Sequence, residues 1–262
     1  MNKLGINYCG VLGDSPEEFC RLIADLGFDA AFSSSETDAE NFAKYAQIAG
    51  IDFECVHAPY KGINNIWLDN EEGQQMFDRL SACIDTCHKI GVPKTVMHLS
   101  SGNNPPLMND LGFGRFEKLV EQAVKQNVIL AIENQRKLGN IAYFFEIYDD
   151  VEQVRFCWDT GHEQCFAHGR EYMPLFGKKI VYTHIHDNLC EPGGDLHMIP
   201  FDGKIDYAKV VKHLKDVNYT GTLTLEVIPN VWEGYKGITP ENYYQKAYNA
   251  IAKIKEMMAE NL

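Results

Sequence analysis

Eight short apolar runs, each the length of one β-strand and each set off from the next by an amphipathic stretch, constrain the fold more than any other feature of this chain. They are LGINY (4–8), AAFSS (30–34), IDFECV (51–56), TVMHL (95–99), VILAIE (128–133), VRFCWD (154–159), KIVYTHIH (179–186) and TLTLEV (222–227). Their apolar residues run on rather than alternate, the pattern of strands buried on both faces of a parallel sheet. Helical periodicity fills the gaps. Ser15-Pro16-Glu17-Glu18 reads as a capping box with proline at the first helical position. Phe77, Leu80, Ile84 and Cys87 recur at three-to-four spacing, as do Phe116, Leu119, Ala123 and Val124, and then Val210, Val211, Leu214 and Val217. Thr239-Pro240-Glu241 opens a last helix with Tyr244, Ala247, Ile251, Ile254 and Met258 on one face. This alternation predicts an α/β protein, a (β/α)8 TIM barrel forming one domain over residues 1–262; such a barrel takes roughly 250 residues. The G-x-G-x-x-G and Walker A motifs of nucleotide-binding open sheets are absent. The longest connections, 58–70, 100–112 and 187–205, follow strands and precede helices, which assigns them to the catalytic rim.

Composition narrows the partners. Lys and Arg number 24 against 37 Asp and Glu, a formal net charge of −13, and so acidic a chain repels nucleic acid unless a metal or a local basic groove compensates. No apolar run approaches the ~18 residues of a membrane span, and the first residues lack the apolar stretch of a signal peptide. The eight cysteines include no C-x-x-C pair; Cys83 and Cys87 share a helical face, and Cys55 and Cys157 sit inside strand runs. Buried, reduced thiols and a cytoplasmic location are the expectation.

Metal-type residues fall at the ends of these strands. His57 follows FECV, His98 follows TVM, and Glu133 ends VILAI. Asp159 ends VRFCW with His162 three residues on, His184 lies in VYTHIHD, Asp195 and His197 lie in GGDLHM, and Glu226 follows TLTL. Closing the barrel brings all these ends around one axis. A lone histidine at a strand end is commonly a hydrogen-bonded rim residue. A bare carboxylate inside an apolar strand is costly to bury and needs a cation or several donors. Glu133, Asp159 and Glu226 fit that description with no Lys or Arg pattern to partner them. With His184 as a nitrogen ligand they compose a four-ligand site for one divalent ion, Mn²⁺, Mg²⁺, Co²⁺ or Zn²⁺.

The fragments VHAPY, VMHLS, AIENQ, CWDTGH, HIHDN, DLHMIP and LTLEV, in this order over roughly residues 50–230, resemble the xylose isomerase-like barrels. That superfamily holds sugar and sugar phosphate isomerases and epimerases, inosose-processing enzymes and endonuclease IV. Resemblance to the keto-sugar 3-epimerase branch implies one metal held by Glu133, Asp159, His184 and Glu226. It also implies that Glu133 and Glu226 act as an acid/base pair and that His162 binds a substrate hydroxyl. Resemblance to the endonuclease IV branch implies three zinc ions on His57, His98, Glu133, Asp159, His162, His184, Asp195, His197 and Glu226.

Three features favour sugar chemistry: the acidic balance with only six arginines, the lack of closely spaced basic residues in the loops, and the segment from His197 to Asp206. That segment resembles a loop of many isomerase-like members, and it leaves Asp195 and His197 open as substrate contacts or metal ligands. His57, His98, Tyr60, Trp67 and His197 are candidate substrate contacts, and Tyr8, Trp158 and Trp232 further candidate pocket walls, with barrel packing as the alternative for each aromatic. The implied reaction is proton abstraction next to a carbonyl that the metal polarises, through an enediolate; a dehydratase of an inosose-like substrate would share that step. No glycine-rich phosphate cradle or arginine clamp is evident, so a free sugar or polyol-derived ketone is the expected partner, with neither nucleic acid nor membrane.

Overall fold

The protein, described here as a computed structural model over residues 2–260, closes into the expected barrel. Its strands are β1 (Leu4–Tyr8), β2 (Ala30–Ser34), β3 (Asp52–His57), β4 (Lys94–Met97), β5 (Ile129–Glu133), β6 (Val154–Asp159), β7 (Ile180–His184) and β8 (Leu223–Leu225). Neighbours pair in parallel from β8 through β1 to β7. Closure between β7 and β8 rests on the Ile185–Leu225 bridge, and the Thr183 hydroxyl accepts from the Thr224 amide (3.0 Å) where ladder bonds are missing. β1, β2 and β6 keep the boundaries read from the sequence, and the other five differ by one or two residues at an end.

The outer layer is α1 (Pro16–Leu26), α2 (Ala39–Ala49), α3 (Glu71–Ile90), α4 (Asp110–Gln126), α5 (Leu138–Ile147), the short α6 (Thr160–Phe166) and α7 (Met173–Phe176), α8 (Tyr207–Asp216) and α9 (Pro240–Ala259). Local chemistry sets their ends. The Ser15–Glu18 capping box is formed, and α1 stops at Gly27, whose φ of 98° suits a residue without a Cβ. The expected apolar faces pack inward with one exception: Leu80, Ile84 and Cys87 of α3, Phe116, Leu119 and Ala123 of α4, Val210, Val211 and Leu214 of α8, and Tyr244, Ala247, Ile251 and Ile254 of α9 are buried, whereas Val124 of α4 is exposed. Two cores result. A large one lies between strands and helices. A small one fills the barrel, made of Phe32, Cys55, Val96, Ala131, Cys157 and Tyr182. All eight thiols are free, with Cys190 exposed and Cys9 half-buried. No helix among the described residues is long and apolar enough to cross a membrane.

Candidate metal and active site

The pleat builds the site. Side chains two residues apart on a strand point to the same side of the sheet. Each step of two beyond the small inner core reaches a metal-type residue: Cys55 to His57, Val96 to His98, Ala131 to Glu133, Cys157 to Asp159, and Tyr182 to His184. These five, with Glu226 one residue past β8, ring the C-terminal mouth above the apolar plug. His98 likewise lies one residue past β4. Glu226 is fixed from the β1 side, because the Asn7 amide donates to the Val227 carbonyl (3.0 Å) and accepts from the Val227 amide (2.8 Å).

Two clusters share this ring. In the first, Glu133 Oε1 lies 2.5 Å from His184 Nδ1, Glu133 Oε2 meets His98 Nε2 and stands 3.7 Å from His57 Nε2, and His184 Nδ1 is 3.3 Å from Glu226 Oε2. In the second, Asp195 Oδ2 lies 3.2 Å from His162 Nε2 and 3.4 Å from His197 Nε2, and His186 Nε2 contacts both oxygens of Asp159 at 3.0 and 3.1 Å. The imidazoles of His186 and His197 stack at 4.1 Å. His197 Nδ1 is 3.7 Å from Glu226 Oε2, so Glu226 joins the halves.

Three of these histidines are aimed by the backbone. His57 Nδ1–H donates to the Ala58 carbonyl (2.8 Å), His162 Nδ1–H to Asn134 (3.0 Å) and His197 Nδ1–H to Glu226 (3.1 Å), and each leaves Nε2 facing the carboxylates. That is how metal-ligating histidines are oriented by their surroundings. His98 Nδ1, His184 Nε2, His186 Nδ1 and Asp195 Oδ1 are buried with no hydrogen-bond partner. The His57–His98–Glu133, His57–His184–Glu226 and His162–Asp195–His197 sets each hold their donor atoms within 4.8 Å of one another. Imidazole nitrogens and carboxylate oxygens fit a borderline divalent cation. Cys157 reaches the first cluster from below, and burial pushes its thiol up to about 12 in the metal-free protein.

Electrostatics follow from the crowding. Burial raises Glu133 and Glu226, but His184 with His98 for the first, and His184 with His197 for the second, outweigh it and hold both carboxyls below the usual range. Burial opposes a charge on His197, yet Asp195 and then Glu226 carry it up to about 9. His162 rises against burial because Asp159 and Asp195 face it. At His98 burial prevails over the pull of Glu133, and its pKa falls.

A cavity of about 450 Å³ opens over the first cluster, lined by His57, Glu226, Tyr60, Tyr8, Asn230 and Arg79 among others. Tyr60 stands exposed at its edge, its ring 5.5 Å from His57 and 5.4 Å from His98.

A family model described as the xylose isomerase-like TIM barrel matches residues 20–259. The chain belongs to that family. It is 24% identical over 264 residues to an uncharacterized protein, y4fM, of Sinorhizobium fredii (strain NBRC 101917 / NGR234), covering 95% of this chain and 81% of the relative. Two similar solved structures are a D-tagatose 3-epimerase-like protein (20% identity, TM-score 0.73, 98% of each chain) and an L-ribulose 3-epimerase (21%, TM-score 0.72, 99% of this chain and 95% of the other). At such identities the likeness bears on the fold.

In this xylose isomerase-like barrel, Glu133, His184 and Glu226 of the expected quartet form one cluster, while Asp159 turns to His186 and accepts from the His162 amide (2.6 Å). His57, His98, His162, Asp195, His197 and Tyr60 all reach the ring or its mouth. Trp67 does not. It ends a 3-10 turn (Ile63–Trp67), is buried against Phe113 and Phe116, and donates from Nε1 to the Leu99 carbonyl (2.7 Å). Its expected role as a substrate contact is therefore corrected to packing. Trp158, between Cys157 and Asp159, points outward to Glu163 (3.0 Å) and His213. Sequence reasoning missed His186, although its step of two from His184 marks the same face. It also passed over Gln135, whose Nε2 donates to Glu133 Oε2 (3.3 Å), and Asn134, whose side chain bridges to the Asp159 backbone (2.8 and 2.7 Å). Gly161 shows why D-T-G-H carries a glycine. A Cβ there would fall 1.9 Å from His186 Cε1.

Proposed function

We propose that this protein is an isomerase or epimerase of a keto sugar or related polyol-derived ketone, acting by proton transfer at the carbon next to the carbonyl. The observation that carries the reading is the convergence of Glu133 and Glu226, from β5 and the end of β8, on one nitrogen of His184 beneath the cavity. Glu133, His184 and Glu226, with Asp159 beside them, would hold a divalent cation, which would polarise the carbonyl and stabilise negative charge on its oxygen.

The side chains supply the rest. Glu226 lines the cavity and is held ionised by His184 and His197, the state a general base needs. Glu133 lies deeper, 1% exposed at its side chain, and approaches from a different strand. Proton removal by one carboxylate and return to the opposite face by the other, which must carry a proton at the start and is left ionised, inverts the carbon; return by the first gives exchange without inversion. His162, charged between Asp159 and Asp195, would hold a substrate oxygen, and Tyr60 would cover the sugar from the rim. A dehydratase would use the same first step.

The test is solvent deuterium uptake next to the carbonyl across a panel of ketoses and inososes, with Mn²⁺, Mg²⁺, Co²⁺ or Zn²⁺ supplied. Uptake that disappears in Glu133→Gln and Glu226→Gln supports the assignment; no uptake from any of them refutes it. The sets His57–His98–Glu133 and His162–Asp195–His197 flank the central cluster, which favours a second reading, an endonuclease IV-like phosphodiesterase with three zinc ions. Nicking of an abasic-site oligonucleotide with about three zinc ions per chain would establish it. The net charge of −13 weighs toward the small molecule.

A further inference from the structure

The segment that begins with Glu226 continues along the catalytic cavity and then out of it. Ile228, Asn230 and Val231 line the 450 Å³ cavity, whereas Asn230, Trp232, Tyr235 and Ile238 line a second one of about 310 Å³ beside it. Val11 and Asn230 belong to both, so the two meet at that pair. The second cavity holds none of the metal-type residues. Its wall is largely apolar and aromatic, with Leu12 and Pro229 added; Glu233 and Lys236 also line it, exposed and paired with each other at 3.9 Å, and the Asn230 amide stands at the junction.

The indole of Trp232 is the fixed feature of this wall. It packs edge-on against Tyr235 at 4.8 Å. Gly234 lies beneath it, where a Cβ would come within 2.3–2.6 Å of three indole carbons, so a glycine is needed for the ring to lie as it does. Tyr235 is itself anchored, donating from its hydroxyl to Asp202 (2.6 Å) and accepting from the Ile199 amide (2.8 Å). Trp232 is only half-buried, so a held aromatic surface is presented at the rim rather than consumed in the core. Binding pockets range over roughly 300–1,000 Å³, and a ligand that fills both cavities is larger than one monosaccharide.

We propose that the second cavity is a subsite for a ring attached to the reacting sugar through a glycosidic oxygen, so that the substrate class is a keto-glycoside rather than a free ketose. The reacting ring sits over Glu226 and the attached ring lies on Trp232, where apolar ring faces and C–H groups stack. Asn230 contacts the link. The shared chemistry is a flat ring of low charge, supplied either by a second sugar or by an aromatic aglycone. This rests on the sugar reading above.

The experiment is calorimetric binding to the full chain loaded with Mn²⁺, using methyl β-D-glucopyranoside, phenyl β-D-glucopyranoside and cellobiose. The expected result is at least tenfold tighter binding of the phenyl glycoside, of cellobiose or of both than of the methyl glycoside. Preference for one identifies the source of the ring. Trp232→Ala is expected to abolish that difference while the methyl glycoside and Mn²⁺ bind as before, and Trp232→Phe to restore most of it. Equal affinity for the three ligands overturns the proposal, as does a Trp232→Ala variant that keeps the preference or loses all three together while Mn²⁺ binding and thermal stability hold. Should Trp232→Ala misfold, Trp232→Leu removes the aromatic face while filling more of the space, and a Trp232→Leu variant that keeps the full preference likewise overturns the proposal. Trp232-dependent preference without deuterium uptake from any ketone would leave the subsite standing and refute the isomerase reading. Uptake from free ketoses with no preference would do the reverse.

Discussion

Asp187 is the strongest test of how the site is held. It is fully buried just past β7, and its carboxylate accepts four backbone amides: Oδ1 from Asn188 (2.8 Å) and Ile205 (3.0 Å), Oδ2 from Phe201 (2.9 Å) and Gly203 (3.0 Å). These bonds pin the loop that carries Asp195 and His197. The loop needs pinning, since His197 (φ 41°) and Phe201 (φ 74°) both occupy the left-handed region, at about 1–3 kcal/mol each. Asp187→Asn replaces one acceptor oxygen with an NH₂ group, so two amides face a donor. At about 1–3 kcal/mol per orphaned group the loss is about 2–6 kcal/mol. A loop can open alone, so this cost falls first on its local stability. Native-state hydrogen exchange at Phe201, Gly203 and Ile205 should then speed up by at least about thirtyfold, the factor that 2 kcal/mol represents, while amides of β5 and β6 stay protected. Metal affinity measured by calorimetry should fall as Asp195 and His197 lose their positions. Gly203→Ala approaches the same point from the other side, because its Cβ would lie 2.3 Å from Asp187 Oδ1. Exchange within threefold of wild type at those three amides, with metal affinity unchanged, would refute the pinning role.

Gly161→Ala should displace His186 from Asp159 and weaken metal binding at least tenfold in calorimetry while the far-ultraviolet circular dichroism stays native, because the added methyl meets an imidazole rather than the core. Trp67→Ala should cost about 3–5 kcal/mol in urea denaturation, the penalty of a large cavity, with KM per folded molecule unchanged; a raised KM at full folding would return Trp67 to the substrate. The pH dependence follows from His197. Its folded pKa of about 9 lies above the ordinary value near 6.5, so in metal-stripped protein it contributes stability that is complete below about 6.5 and lost as pH rises to 9. Metal must displace that proton, so metal affinity should rise with pH up to about 9, read by calorimetry in buffers of differing ionisation enthalpy.

The barrel was legible because strands buried on both faces cannot hide. Each is an apolar run, and eight of them with helices between allow few closures. What the sequence blurred were the rim ends, where β4, β7 and β8 stop before the polar residues. There the chain leaves the ladder to deliver His98, His186 and Glu226 inward, and apolar pattern carries no mark of that departure. Parity was a usable guide only partly used. Counting in twos from His184 reaches His186, and counting in ones from Cys157 puts Trp158 on the outside. Trp67 was beyond such counting, since its burial depends on a 3-10 turn tucked beneath α3 and α4. Likewise, that Asp159 faces His186 depends on Gly161 leaving room for the imidazole, a contact across strands with no sequence spacing.

The choice of histidine over lysine around these carboxylates has its own logic. Every ion pair of Glu133, Asp159, Asp195 and Glu226 among the described residues is with a histidine. A buried lysine or arginine would neutralise them permanently, and its charge would repel any metal. Imidazole is reversible: protonated, it supplies the cation that buried carboxylates need; deprotonated, it offers a lone pair to a cation that takes over that task. The same ring therefore tolerates being empty and being filled, at the cost of holding protons that a metal must displace. A barrel stabilised only as a scaffold has no use for that reversibility, since apolar residues of equal volume would pack the mouth without any desolvated charge. The site's composition is one that could hold a cation, and the −13 surplus lies mostly outside it, on a surface that repels rather than grips a phosphate backbone.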